Sequence, residues 1–112
     1  MDEVVGKIAA LGLPGIILLI TMATTGLTGA AAITAALAML GPGGMLGGIA
    51  FLGVIGLVAE PLSKYGLETL ALAVYKKRYE KGETLEALGK EINRLPISND
   101  LKRKLREELG CL

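Results

Sequence analysis

An all-α fold is predicted by three features of the sequence. Residues 8–59 contain no Asp, Glu, Lys or Arg. Gly41-Pro42-Gly43-Gly44, a turn signal, lies inside that stretch. In the charged remainder, apolar residues recur at steps of three and four, the period of a helix. An uncharged block of this length, folded once, makes an apolar helical hairpin. The expected organisation is a short amphipathic helix over 1–12, an apolar hairpin over 13–60 with its turn at 41–44, and a charged tail over 61–112. The tail divides into helices at about 61–81, 84–95 and 98–109, which form a polar helical cap.

Each element has its own signals. In residues 2–11, Val4, Val5, Ile8 and Leu11 share a helical face. Asp2 and Glu3 fall in the first turn, where the helix dipole favours anions. Gly12-Leu13-Pro14 breaks this helix, and Pro14 suits the first turn of the next. From Pro14 to Leu40 the chain is apolar on all sides, and a helix of that kind is either buried or in lipid. Helical throughout, the segment rises about 40 Å, enough for a hydrocarbon core of roughly 30 Å. Thr24-Thr25-Gly26-Leu27-Thr28-Gly29 interrupts it with weak helix formers, giving either one kinked span or two short helices. Nine Leu or Ile between Ile16 and Leu40 favour insertion by about 4–5 kcal/mol. Five Thr and two Gly oppose it, so the span is marginal and gains by association.

The second arm, residues 45–59, is dense in large apolar groups but rises only about 22 Å, short for a full crossing. Pro61 suits the start of another helix. Leu85, Leu88, Ile92 and Leu95 mark one face of the next, which Pro96 ends. Ser98-Asn99-Asp100 is a helix-capping cluster, and Leu101, Leu105 and Leu109 follow at steps of four.

Two groups of residues are candidates for function. The first is a seam of small residues: Gly43 with Gly47, Gly44 with Gly48, then Gly53 and Gly56, and on the other arm Ala31 with Ala35 and Ala32 with Ala36. Small residues at this spacing let helix backbones approach closely, which drives association in lipid. The contact is either between the two arms or between copies of the chain. The second is a membrane-interface set of Tyr65, Tyr75, Lys76, Lys77, Arg78 and Tyr79. Tyr favours the membrane–water boundary, and a basic cluster favours anionic headgroups. A solvated helix face is the simpler reading of the same cluster.

The remaining chemistry is sparse. The net charge of +1 provides no basic field for nucleic acid. One Cys and no His exclude an intrachain disulfide within this sequence and a zinc pattern. Cys111 reads as a plain tail thiol, placed outside the four-residue prenylation pattern. A cleaved secretory signal is not expected, because Asp2 and Glu3 stand where positive charge is needed. Glu107 and Glu108 lie in a charge-rich helix that reads as solvated, and the glycine turn lacks the Lys-Ser/Thr of a phosphate loop. No catalytic residue, cofactor or metal is expected.

The uncharged turn and basic tail place both termini in the cytoplasm, with two segments in the membrane. The expected partners are an anionic lipid bilayer and further copies of the chain, with a protein partner for the tail as a further possibility. The function that fits is permeabilisation, by a small pore- or lesion-forming effector. In layout the chain resembles holins, which are small, with few spans and a charged tail. It is also similar to colicin-type pore domains, which pair an Ala/Gly-rich apolar hairpin with amphipathic helices. These are likenesses of architecture, and function rests on a site rather than a layout. Two other readings compete: a non-lytic anchor or subunit whose tail binds a protein, and a soluble oligomeric helical bundle.

Overall fold

The computed structural model describes residues 2–25 and 48–110, with side-chain surroundings for 3–24 and 57–110. Five helices and no strand occur among the described residues. They are α1 (Asp2–Leu11), α2 (Leu13–Thr25), α3 (Gly48–Glu80), α4 (Leu85–Arg94) and α5 (Asn99–Gly110).

Helix α1 buries Val4, Val5, Ile8 and Ala9 and leaves Glu3 and Lys7 outside as a pair at 3.7 Å. Gly12 separates it from α2 with φ +67°, a conformation that costs an L side chain about 1–2 kcal/mol. The Gly12 amide donates to the Ala9 carbonyl at 3.1 Å. Its own carbonyl accepts from Gly15 at 3.1 Å and Ile16 at 3.3 Å, so one residue closes α1 and opens α2. The chain bends by 118° between the two helices. Their contact is close at Gly15, where an added Cβ meets the Ile8 carbonyl oxygen at 2.5 Å.

Helix α2 is covered on all sides over its middle turns, where every residue from Ile16 to Met22 is buried. Thr21 and Thr24 each donate, at 2.8 Å, to the carbonyl four residues earlier, Ile17 and Ile20 respectively. The apolar arm expected from Pro14 to Leu40 is described only to Thr25.

Helix α3 is the element on which α1, α2, α4 and α5 all pack. It runs through Pro61, which stands inside it. The break expected at Glu60-Pro61 instead falls at Gly66, with φ 84° and ψ 167°. The physical reason is that Pro removes one hydrogen bond while keeping a helical φ, whereas a φ of 84° is a glycine conformation. Beyond Gly66, the residues Leu70, Ala71, Val74 and Tyr75 form a buried stripe.

The turn after α3 is held by the Gly82 amide to the Tyr79 carbonyl at 3.0 Å, and by the Glu83 amide to the Arg78 carbonyl at 3.2 Å. Gly82 has φ +112°, the positive value common where a glycine ends a helix. Thr84 caps α4 by accepting from the Ala87 amide at 3.1 Å. Ser98 does the same for α5 through the Leu101 amide at 3.1 Å. Leu88, Ile92 and Leu95 from the α4 segment meet Leu105 and Leu109 from α5 in the same apolar core as α1 and α2.

Among the described residues no single helix is long and apolar enough to cross a membrane. The pair Glu3–Leu11 and Leu13–Thr24 together has the length and apolar composition of a span, but it is bent by 118°.

Candidate functional site

The buried stripe of α3 does not end at Tyr75 but continues to Arg78, whose side chain is 7% exposed. An arginine so placed needs partners, because an unpaired buried charge is costly. Two carboxylates supply them. From the turn, Glu83 accepts from Arg78 Nε at 2.6 Å and Nη2 at 2.8 Å, a two-pronged pair. From α4, Glu91 accepts from Arg78 Nη1, and from Nη2 at 3.0 Å. The Tyr75 hydroxyl also donates to Glu91, at 2.6 Å, and the guanidinium sits 5.3 Å from the Tyr75 ring centroid. One cation thus ties α3 to the turn and to α4.

The electrostatics follow from these contacts. Burial works against the Arg78 charge, but the hydrogen bonds to Glu83 and Glu91 outweigh it and hold the guanidinium protonated far above the usual range. The bond from Arg78 holds the Glu83 carboxyl below its ordinary value, against a smaller opposing effect of burial. Burial first, and the bond to Glu91 second, push the Tyr75 hydroxyl well above its ordinary value.

The Tyr75 shift has a testable consequence. A raised value in the folded chain gives stability that is complete below about pH 10, the ordinary phenol value, and is lost as pH rises toward the folded value. Tyr75→Phe keeps the ring and removes the titration. The stability advantage of Tyr75 over Phe is expected to shrink by about 1.4 kcal/mol between pH 8 and pH 11. Chemical denaturation of both chains at the two pH values measures it, and a constant gap contradicts the buried hydroxyl.

The structure separates the expected interface set. Tyr75 and Arg78 lie inside the cap formed by α3 beyond Gly66 with α4 and α5. Lys76, Lys77 and Tyr79 are half-buried, while Tyr65 is exposed with Lys64 Nζ 5.4 Å from its ring centroid. The six residues therefore do not share one exposed surface. The basic residues of α5 are also occupied within the chain. Arg103 and Lys104 pair with Asp100, Lys102 donates to the Asn93 carbonyl at 2.9 Å, and Arg106 donates to Asn93 Oδ1.

Of the small-residue seam, Ala31, Ala32, Ala35, Ala36, Gly43, Gly44 and Gly47 lie outside the described residues. Gly48, Gly53 and Gly56 belong to the first part of α3, whose side-chain surroundings are not among those described.

Sequence reasoning missed Glu83 and Glu91. The spacing gave a signal for Arg78 alone: it shares one helical face with Ala71, Val74 and Tyr75, so a charge was being carried into a core, and nothing local marked its partners. In the described arrangement Arg78, Glu91 and Tyr75 satisfy one another, and no buried side-chain nitrogen or oxygen among the described residues lacks a partner. The cluster is thus built to hold shape. No family of known proteins, no curated protein and no solved structure matches the chain.

Proposed function

We propose that the chain is a small self-associating membrane protein. It inserts its apolar segment, keeps a folded, charged cap at the cytoplasmic face with both termini, and perturbs or permeabilises the bilayer through association of copies along the small-residue seams. The observation that carries this reading is the segregation of charge. Residues 8–59 have none, and every charge apart from Asp2, Glu3 and Lys7 lies in the tail from Glu60 onward. The cap has its own ionic core at Arg78 and takes none of the polar partners of that core from the apolar segment.

The burial of Ile16 to Met22 is compatible with insertion. Moving the part of α2 beyond Ile17 from protein contact into acyl chains exchanges one apolar surrounding for another, without the large penalty of exposure to water. The bent α1–α2 pair has the length and composition for this step.

Two further readings each have an observation in their favour. The internally satisfied cap suits a non-lytic anchor whose tail binds a protein partner. The covered α2 suits an oligomeric helical bundle that never enters lipid.

Dye release from vesicles, together with chemical cross-linking, tests the proposal. The chain is expected to release dye and to form cross-linked oligomers. Gly47→Leu and Gly48→Leu are expected to reduce both, because a Leu side chain keeps backbones apart. Oligomers that persist unchanged in both variants overturn the seam. Tight vesicles with bound protein favour the anchor, and a chain that never binds vesicles favours the bundle.

A further inference from the structure

A cleft of about 620 Å³ opens between the start of α2 and the outer face of α4, within the usual size range of small-molecule sites. Leu13, Ile17 and Leu95 line it with apolar surface. Leu13 is 39% exposed, one of three large apolar side chains left uncovered among the described residues. Lys90 and Arg94, one turn apart on α4, form the basic side. Glu91 also borders the cleft, but its carboxylate is committed to Arg78 and Tyr75. Lys90 has only a solvent-exposed contact with Glu86 at 3.3 Å, a type worth little, and no ion pair holds Arg94 among the described residues. Lys90 and Arg94 outnumber Glu91 among the lining residues, so the charge lining the cleft is net positive above an apolar floor.

We propose that this cleft binds one acidic phospholipid, with its phosphate between Lys90 and Arg94 and the upper part of an acyl chain along Leu13, Ile17 and Leu95. The proposal rests on the membrane reading above and adds to it a lipid class and a site. Three features favour this occupant. The charge is complementary, and a guanidinium presents paired donors that match phosphate oxygens. The apolar floor adjoins the basic side, as acyl chain adjoins headgroup. Leu13 opens α2 within the uncharged segment, so the cleft lies where the charged cap meets the apolar segment. An anchoring role was expected of Lys76, Lys77 and Arg78; α4 supplies the better-placed pair.

Flotation of the full chain with vesicles tests the site, using phosphatidylcholine alone and phosphatidylcholine mixed with phosphatidylglycerol. Wild type is expected to float with both and to prefer the acidic mixture. Lys90→Gln with Arg94→Gln is expected to keep binding to the neutral vesicles and to lose about 10- to 30-fold in affinity for the acidic ones. Circular dichroism of the variant checks that the helices persist. Lys102→Gln with Arg103→Gln removes the same charge from α5 and is expected to keep the preference. Equal loss in both double variants assigns the effect to diffuse charge and overturns the cleft. Full retention in the Lys90/Arg94 variant overturns it as well. Short-chain phosphatidylglycerol should slow hydrogen exchange in α4 while inorganic phosphate at equal ionic strength should not; equal slowing by phosphate overturns the lipid assignment. Wild type that floats with neither vesicle overturns the membrane reading itself, an outcome distinct from loss of the acidic preference alone.

Discussion

Replacing Arg78 with Met is expected to destabilise the cap by about 3 kcal/mol, the lower end of the cost of breaking a buried ion pair. Met keeps an unbranched apolar side chain of similar reach, so the change isolates the charge and its hydrogen bonds. Glu83, whose side chain is 43% exposed, can turn to water. Glu91 cannot do so readily at 16% exposure, and it is left with the Tyr75 hydroxyl alone. Native-state hydrogen exchange reads the loss locally, and protection of the Leu88 and Ile92 amides should fall about 100-fold. Lys76→Met and Lys77→Met serve as comparisons, since neither side chain has an ion-pair partner among the described residues. Protection unchanged in Arg78→Met, or lost equally in all three variants, contradicts the role assigned to Arg78.

Gly15→Ala is the second large effect. The added Cβ meets the Ile8 carbonyl oxygen at 2.5 Å, Ile8 Cγ2 at 3.0 Å and the Leu11 Cβ at 3.1 Å. The nearest of these is backbone, which cannot rotate aside, so α1 and α2 must part. Such overpacking costs about 1–3 kcal/mol. The same substitution has the opposite sign at Gly6 in α1 and Gly89 in α4, where an added Cβ meets nothing within 4 Å. There, Gly→Ala in a helix interior is expected to stabilise by about 0.5–1 kcal/mol. Denaturation midpoints of the three variants against wild type measure the contrast. A neutral or stabilising Gly15→Ala rules out the close crossing at Ile8.

How much of this was legible depended on whether a signal was local. The break at Gly12 and the start near Pro14 are carried by residues with their own backbone preferences, and both were readable. So were the Leu88–Ile92 and Leu105–Leu109 stripes and the capping cluster that begins at Ser98, since each repeats at helical spacing or bonds within three residues. The passage of α3 through Pro61 was not readable. A proline is tolerated or rejected according to what else holds the helix, and here α1, α2, α4 and α5 all pack on it.

Arg78 was misplaced for a related reason. Beside Lys76 and Lys77 it looks like one of three surface cations, and only its register with Val74 and Tyr75 sets it apart. Its partners come from the turn and from the next helix, five and thirteen residues away, and pairing at such separations depends on tertiary packing. The Lys90–Arg94 cleft combines residues from α2 and α4, and no periodicity in either helix points to the other.

The central claim is that an uncharged segment joined to a charged cap, whose buried ion pairs are its own, is at home in a bilayer. Alkaline carbonate extraction of membranes from cells making the full chain tests this most directly. The chain should stay in the membrane pellet and come free only with detergent. Its release into the carbonate supernatant as a dispersed particle, stable in buffer without detergent, would contradict the claim.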